Sequence, residues 1–83
     1  MWNSQTIEDF KKGKLCVIKV YTDAFGKLYK EYYEVWDGVI MIKYIGTRWF
    51  RPCGATVDEI FDSLVPERYV IIGIDSKSTR YIE

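Results

Sequence analysis

Cys53 is the residue whose neighbours in sequence most suggest a nucleophile. It follows Arg51 by two positions and stands just ahead of a helix start at Thr56. A nearby cation and a helix N-terminus both favour a thiolate. A catalytic thiol also needs a base, and the chain contains no histidine. The Cys–His and Ser–His pairs of nucleophilic catalysis are therefore unavailable. A small, partly buried thiol is the plainer reading, and a redox or hydrolytic enzyme around Cys53 ranks third among the functions. Cys16 and Cys53, with no histidine, do not make a structural zinc set. The six glycines are spread along the chain and form no phosphate-cradling loop. Paired-carboxylate hydrolysis needs only two acids, yet 83 residues leave little room for a deep pocket. No cofactor and no metal are expected.

Binding chemistry has more support. From Gly38 to Val57 the chain carries Lys43, Arg48 and Arg51 and no acidic residue, with Tyr44, Trp49 and Phe50 interleaved. Trp, Tyr and Arg are the residue types that anchor protein–protein contacts. Aromatic groups beside cations on a sheet also stack and neutralise single-stranded nucleic acid. The plainer reading is a central strand with its aromatics inward and its arginines at the rim. Twelve basic against twelve acidic residues weigh against nucleic acid, because phosphate binding usually shows as a basic excess.

A second aromatic cluster precedes that stretch. Tyr29, Tyr32, Tyr33 and Trp36 alternate so that one strand would carry rings on both faces. Helices on one side of a sheet cover only one of those sets. The other is then an interface, with a second copy of the chain as the simplest occupant, unless terminal segments cover it.

The elements that must position these residues follow from composition and pattern. Ten Ile, seven Val and seven Tyr against three Leu and two Ala make strand the dominant expectation. Ile7 and Phe10 share one face of a short helix capped at Thr6 and closed at Gly13, with Trp2 as a further docking residue. Lys14 to Tyr21 alternates as a strand, a turn follows at Asp23–Gly26, and Leu28 to Trp36 is the second strand. Asp37-Gly38 predicts a two-residue hairpin into a third strand, Val39 to Ile45. Gly46-Thr47 reads as a tight turn into Arg48–Arg51, with a bulge in one longer strand as the competing reading. Thr56 and Glu59 have capping-box spacing, and Val57, Ile60, Phe61 and Leu64 form one apolar stripe that Pro66 ends. Arg68 to Ile74 is a last long strand, Asp75–Ser78 a turn, and Thr79–Glu83 a short edge strand.

The whole chain, residues 1–83, is thus expected to be one small α+β domain. Its antiparallel meander sheet has four to six strands, with a short N-terminal helix and one amphipathic helix. No secretory leader or long apolar run is seen, so a cytoplasmic location and no membrane partner are expected, with both thiols reduced. A Cys16–Cys53 bridge is the competing reading. In general character the chain is similar to small accessory proteins of viruses and mobile elements, which implies binding and blocking of a host protein. The leading expectation is a non-enzymatic interaction module contacting a protein partner, or itself as a homodimer, through Tyr32, Lys43, Tyr44, Arg48, Trp49 and Arg51. A single-stranded nucleic-acid binder using Lys43–Arg51 is the alternative.

Overall fold

The computed structural model describes residues 3–44, 46–64, 68–74 and 81–82, the last two as backbone only. In chain order the elements are α1 (Ser4–Lys11), β1 (Leu15–Thr22), β2 (Leu28–Trp36), β3 (Val39–Tyr44), β4 (Trp49–Pro52), α2 (Val57–Asp62), β5 (Tyr69–Gly73) and β6 (Tyr81–Ile82). The expectations for Trp2, Ile45, Pro66 and the turn at Asp75–Ser78 lie outside the described residues.

Local chemistry explains most boundaries. α1 begins earlier than Thr6 because Asn3 is the stronger cap; its side chain accepts from the Gln5 N–H at 2.7 Å. Thr6 instead lies within the helix. Gly13 takes φ +76° just past the Lys12 C-cap, as a left-handed helix terminator should. It also lies where a Cβ would fall 2.8 Å from the Val35 carbonyl oxygen, so only glycine lets α1 turn this closely into the sheet. Asp37 at φ 50° and Gly38 at φ 82° supply the two left-handed residues of a I′ hairpin between β2 and β3. The Thr47 N–H donates to the Tyr44 carbonyl, so Gly46-Thr47 is a turn and β4 a separate strand. In α2 the capping box forms in full, the Thr56 hydroxyl accepting from the Glu59 N–H and the Glu59 carboxylate from the Thr56 N–H.

The strand order is β5-β1-β2-β3-β4-β6. The first four strands form the expected meander, and β5 then returns to pair antiparallel with β1 at the far end. β6 departs from the all-antiparallel expectation, because it pairs in parallel with β4. The α2 crossing accounts for the order. It carries the chain over one face of the meander and delivers it beside the unoccupied edge of β1.

Both helices pack on that face. Phe10 of α1, Ile60 and Phe61 of α2 and the nearby Leu64 join Val17, Tyr33, Val35, Ile40 and Ile42 in one buried cluster. Registers place Val17, Tyr33 and Ile42 in a row across three strands. The Tyr33/Val35 set of β2 is therefore the helix-covered one. The opposite set closes around a carboxylate instead. Glu34, 2% exposed, accepts from the Tyr32 hydroxyl at 3.1 Å and from the Trp36 indole N–H. Phe50 reaches across from β4 to contact the Tyr32 and Trp36 rings at 5.8 and 4.6 Å. Cys16 is buried on the same side, and that burial pushes its thiol pKa up, with hydrogen bonding to Tyr32 acting the other way.

Candidate functional site

The helices cover only part of their face. Past Tyr33 and Ile42 the same face continues through Lys19, Tyr21, Tyr29, Glu31 and Tyr44 to Arg51 and Trp49 of β4. Period-two alternation and the registers Lys19↔Glu31, Tyr21↔Tyr29, Glu31↔Tyr44 and Ile42↔Arg51 place them together. Tyr21 and Tyr29 stand opposite each other and stack, centroids 5.4 Å apart with planes at 15°. The Lys19 and Lys27 ammonium groups approach the outer members of that pair, 5.9 Å from the Tyr21 centroid and 5.4 Å from that of Tyr29.

Hydroxyls fix these rings in place. Tyr21 donates to one Glu31 oxygen at 2.8 Å and Tyr33 donates to the other. Tyr29 donates to Asp23 at 3.2 Å, whose second oxygen accepts from the Phe25 and Lys27 N–H groups and so ties the stack to the β1–β2 turn. Those turn bonds, that of Lys27 first, hold the Asp23 carboxyl below its usual range.

Tyr44 lies across from Glu31 and is 41% exposed. The Arg51 guanidinium donates to its hydroxyl at 3.1 Å and lies 5.5 Å from its ring centroid. Trp49, two residues earlier on β4, is 50% exposed, and Arg48 is exposed in the turn before it. Among the described residues, this end of the face holds Lys19, Lys27 and Arg51 with two carboxylates, both engaged by tyrosyl hydroxyls.

The six residues expected at the contact surface thus fall on both sides of the sheet. Tyr44, Trp49 and Arg51 come together, with Arg48 beside them. Tyr32 and Lys43 face the other way, paired across β2 and β3, with the Lys43 ammonium 4.9 Å from the Tyr32 centroid and 5.1 Å from that of Phe50. There Lys43 caps the aromatic cluster around Glu34. Sequence reasoning missed Tyr21, Lys19 and Lys27, and it grouped Tyr29 with the second aromatic cluster rather than with Tyr44 and Arg51. Their available signal was the near-symmetric placement of Tyr21 and Tyr29 about the Asp23–Lys27 turn.

Both cysteines are free thiols. Cys53 donates its N–H to the Ile40 carbonyl at 2.8 Å and packs against the core. The helix beyond it has only six residues, which limits any dipole effect on the thiol. Among the described residues there is no group of three or more metal-ligating side chains, and no helix long and apolar enough to cross a membrane.

Comparison with known proteins gives no match: no family model, no curated protein and no solved structure is similar to this chain.

The tyrosine network has a measurable consequence. The hydrogen bond to Glu31, with burial and the Glu31 charge, pushes the Tyr21 phenol up to about 12. Tyr32 and Tyr33 are raised too, by burial first and then by their hydrogen-bonding partners. An unfolded tyrosine ionises near pH 10, so the folded state holds these protons longer than the unfolded state does. Their stabilising contribution is complete below pH 10 and is lost as pH rises through the folded values, for Tyr21 through about 12. Alkaline titration of tyrosinate absorbance should show a late class of phenols, and Tyr21→Phe should remove one member of it. A single transition near the unfolded value for all seven tyrosines would rule the network out.

Proposed function

We propose that this chain is a non-enzymatic binding module that engages a protein partner in the cytoplasm through the helix-free end of its sheet. The observation carrying the reading is the exposed Tyr44–Arg51 pair beside Trp49, continuous across Glu31 with the Tyr21–Tyr29 stack. These are hot-spot residue types, gathered on one surface. Their hydroxyl and ring contacts hold the side chains before binding, which lowers the entropy lost on association. Trp49 and Tyr44 supply apolar area, while Arg48 and Arg51 pair with carboxylates of the partner. The absence of histidine supports binding rather than catalysis. Blocking of a host protein by a viral or mobile-element accessory protein fits this mode.

A photo-cross-linking side chain at position 49 tests the reading. It should label a protein in lysate, and Arg51→Ala should reduce the labelling while circular dichroism stays unchanged. No protein adduct, or equal labelling from a probe at position 30 on the opposite face, would reject the surface. The cation–ring pairs on an open sheet favour a second reading, single-stranded nucleic acid. It requires tryptophan quenching on oligonucleotide titration and binding that weakens steeply with salt.

A further inference from the structure

β5 ends the sheet, and among the described residues it pairs with β1 alone. The Ile74 N–H donates to the Lys14 carbonyl at 3.2 Å. Bonded pairs recur at every second residue of an antiparallel ladder. Cys16/Ile72 and Ile18/Val70 are therefore the bonded pairs, and the backbone groups of Ile71 and Gly73 point away from β1. The strand Tyr69-Val70-Ile71-Ile72-Gly73 contains neither charge nor proline, two devices that normally blunt a sheet edge. Val70 and Ile72 lie on the face opposite the helices and are 48% and 43% exposed.

We propose that β5 is a self-association edge, at which two copies pair antiparallel about a two-fold axis at Ile71 and join their sheets. The strand is self-complementary in this register. Ile71 meets its own copy as a bonded pair, as its outward backbone requires. Gly73 falls across from Tyr69 of the second copy, a small residue against a large one. Val70 falls beside Ile72 in the close non-bonded positions where β-branched side chains touch. All five residues overlap, whereas moving the axis to Val70 or Ile72 leaves an overlap of three. Charge also favours a second copy. Residues near a two-fold axis meet themselves or near neighbours, so a charged strand would repel its copy and this one does not. The paired area is small beside the roughly 1,200–2,000 Å² of a stable complex, so the dimer is weak and reversible. The edge is separate from the Tyr44–Trp49–Arg51 surface, so neither proposal depends on the other.

Sedimentation equilibrium from micromolar to millimolar protein tests it. The average mass should climb from that of one chain toward that of two. V70K/I72K, at exposed positions outside the helix-side core, should weaken pairing by about tenfold or more through like-charge contacts. V70E/I72E should do the same, and an equimolar mixture of the two variants should restore the dimer. In the wild-type chain the Ile71 amide should exchange more slowly as concentration rises, which tests the edge even if a variant misfolds. A wild-type chain monomeric at millimolar concentration overturns the proposal. So does a dimer indifferent to V70K/I72K, or an edge that takes up an extended apolar peptide but not a second copy.

Discussion

Replacing Phe10 by alanine is expected to remove about 3–5 kcal/mol of folding stability, the range for deleting a fully buried aromatic ring. Phe10 is 0% exposed and is the buried residue of α1. Its ring meets that of Phe61 edge-on, centroids 5.4 Å apart at 84°, an arrangement worth about 0.5–1.5 kcal/mol beyond burial. A helix of eight residues does not persist without such docking. The loss therefore includes α1 itself, with only Ile7 still packed against the core. At roughly 0.05–0.15 kcal/mol per residue, a domain of this length holds about 4–12 kcal/mol in all. At the lower end of that range the variant sits close to its unfolding midpoint without denaturant. Urea titration measures the loss, and Phe10→Ala with Phe61→Ala should cost less than the sum of the two. A cost below about 1 kcal/mol would mean that the helix is not held by this ring.

Glu34→Ala is expected to cost about 2–3 kcal/mol, since it removes the acceptor of two part-buried donors at once. The Tyr32 hydroxyl and the Trp36 indole N–H both give their hydrogen bonds to this carboxylate, which is 2% exposed. Glu34→Gln keeps one oxygen acceptor and should lose less. Leucine at position 34 combined with Tyr32→Phe should recover part of the loss, because it removes a donor along with its acceptor. Urea titration with tryptophan emission as the probe orders the variants. Equal stability of the alanine and glutamine forms would show that the hydrogen bonds contribute nothing net.

Glu34 also marks the boundary of what a sequence can disclose. Alternation along Leu28–Trp36 correctly separates Tyr32, Glu34 and Trp36 from Tyr33 and Val35. It does not say which set the helices cover, because both carry aromatic rings. A carboxylate in the middle of a set would ordinarily mark it as solvent-facing. Here Glu34 is buried because its two sequence neighbours on that face donate to it and Phe50 closes over them. The proposed contact surface was half legible for a related reason. Arg48, Trp49 and Arg51 are close in sequence and stay close in space. Tyr21 and Tyr29 reach the same surface only through strand pairing, while Lys43, one residue from Tyr44, points to the other side.

By itself the sequence determined the element order, the Asp37-Gly38 hairpin, the Thr56–Glu59 capping box and the Gly13 terminator. It also excluded imidazole chemistry. Each depends on residues within a few positions of one another, where backbone propensity and local hydrogen bonds decide the outcome. Tertiary structure alone decided that β5 returns to β1, that β6 runs parallel to β4, and that Tyr21 and Tyr29 share a face with Arg51. Those outcomes depend on strand register, which couples residues far apart in sequence. A slip of one residue would send every side chain of a strand to the opposite face.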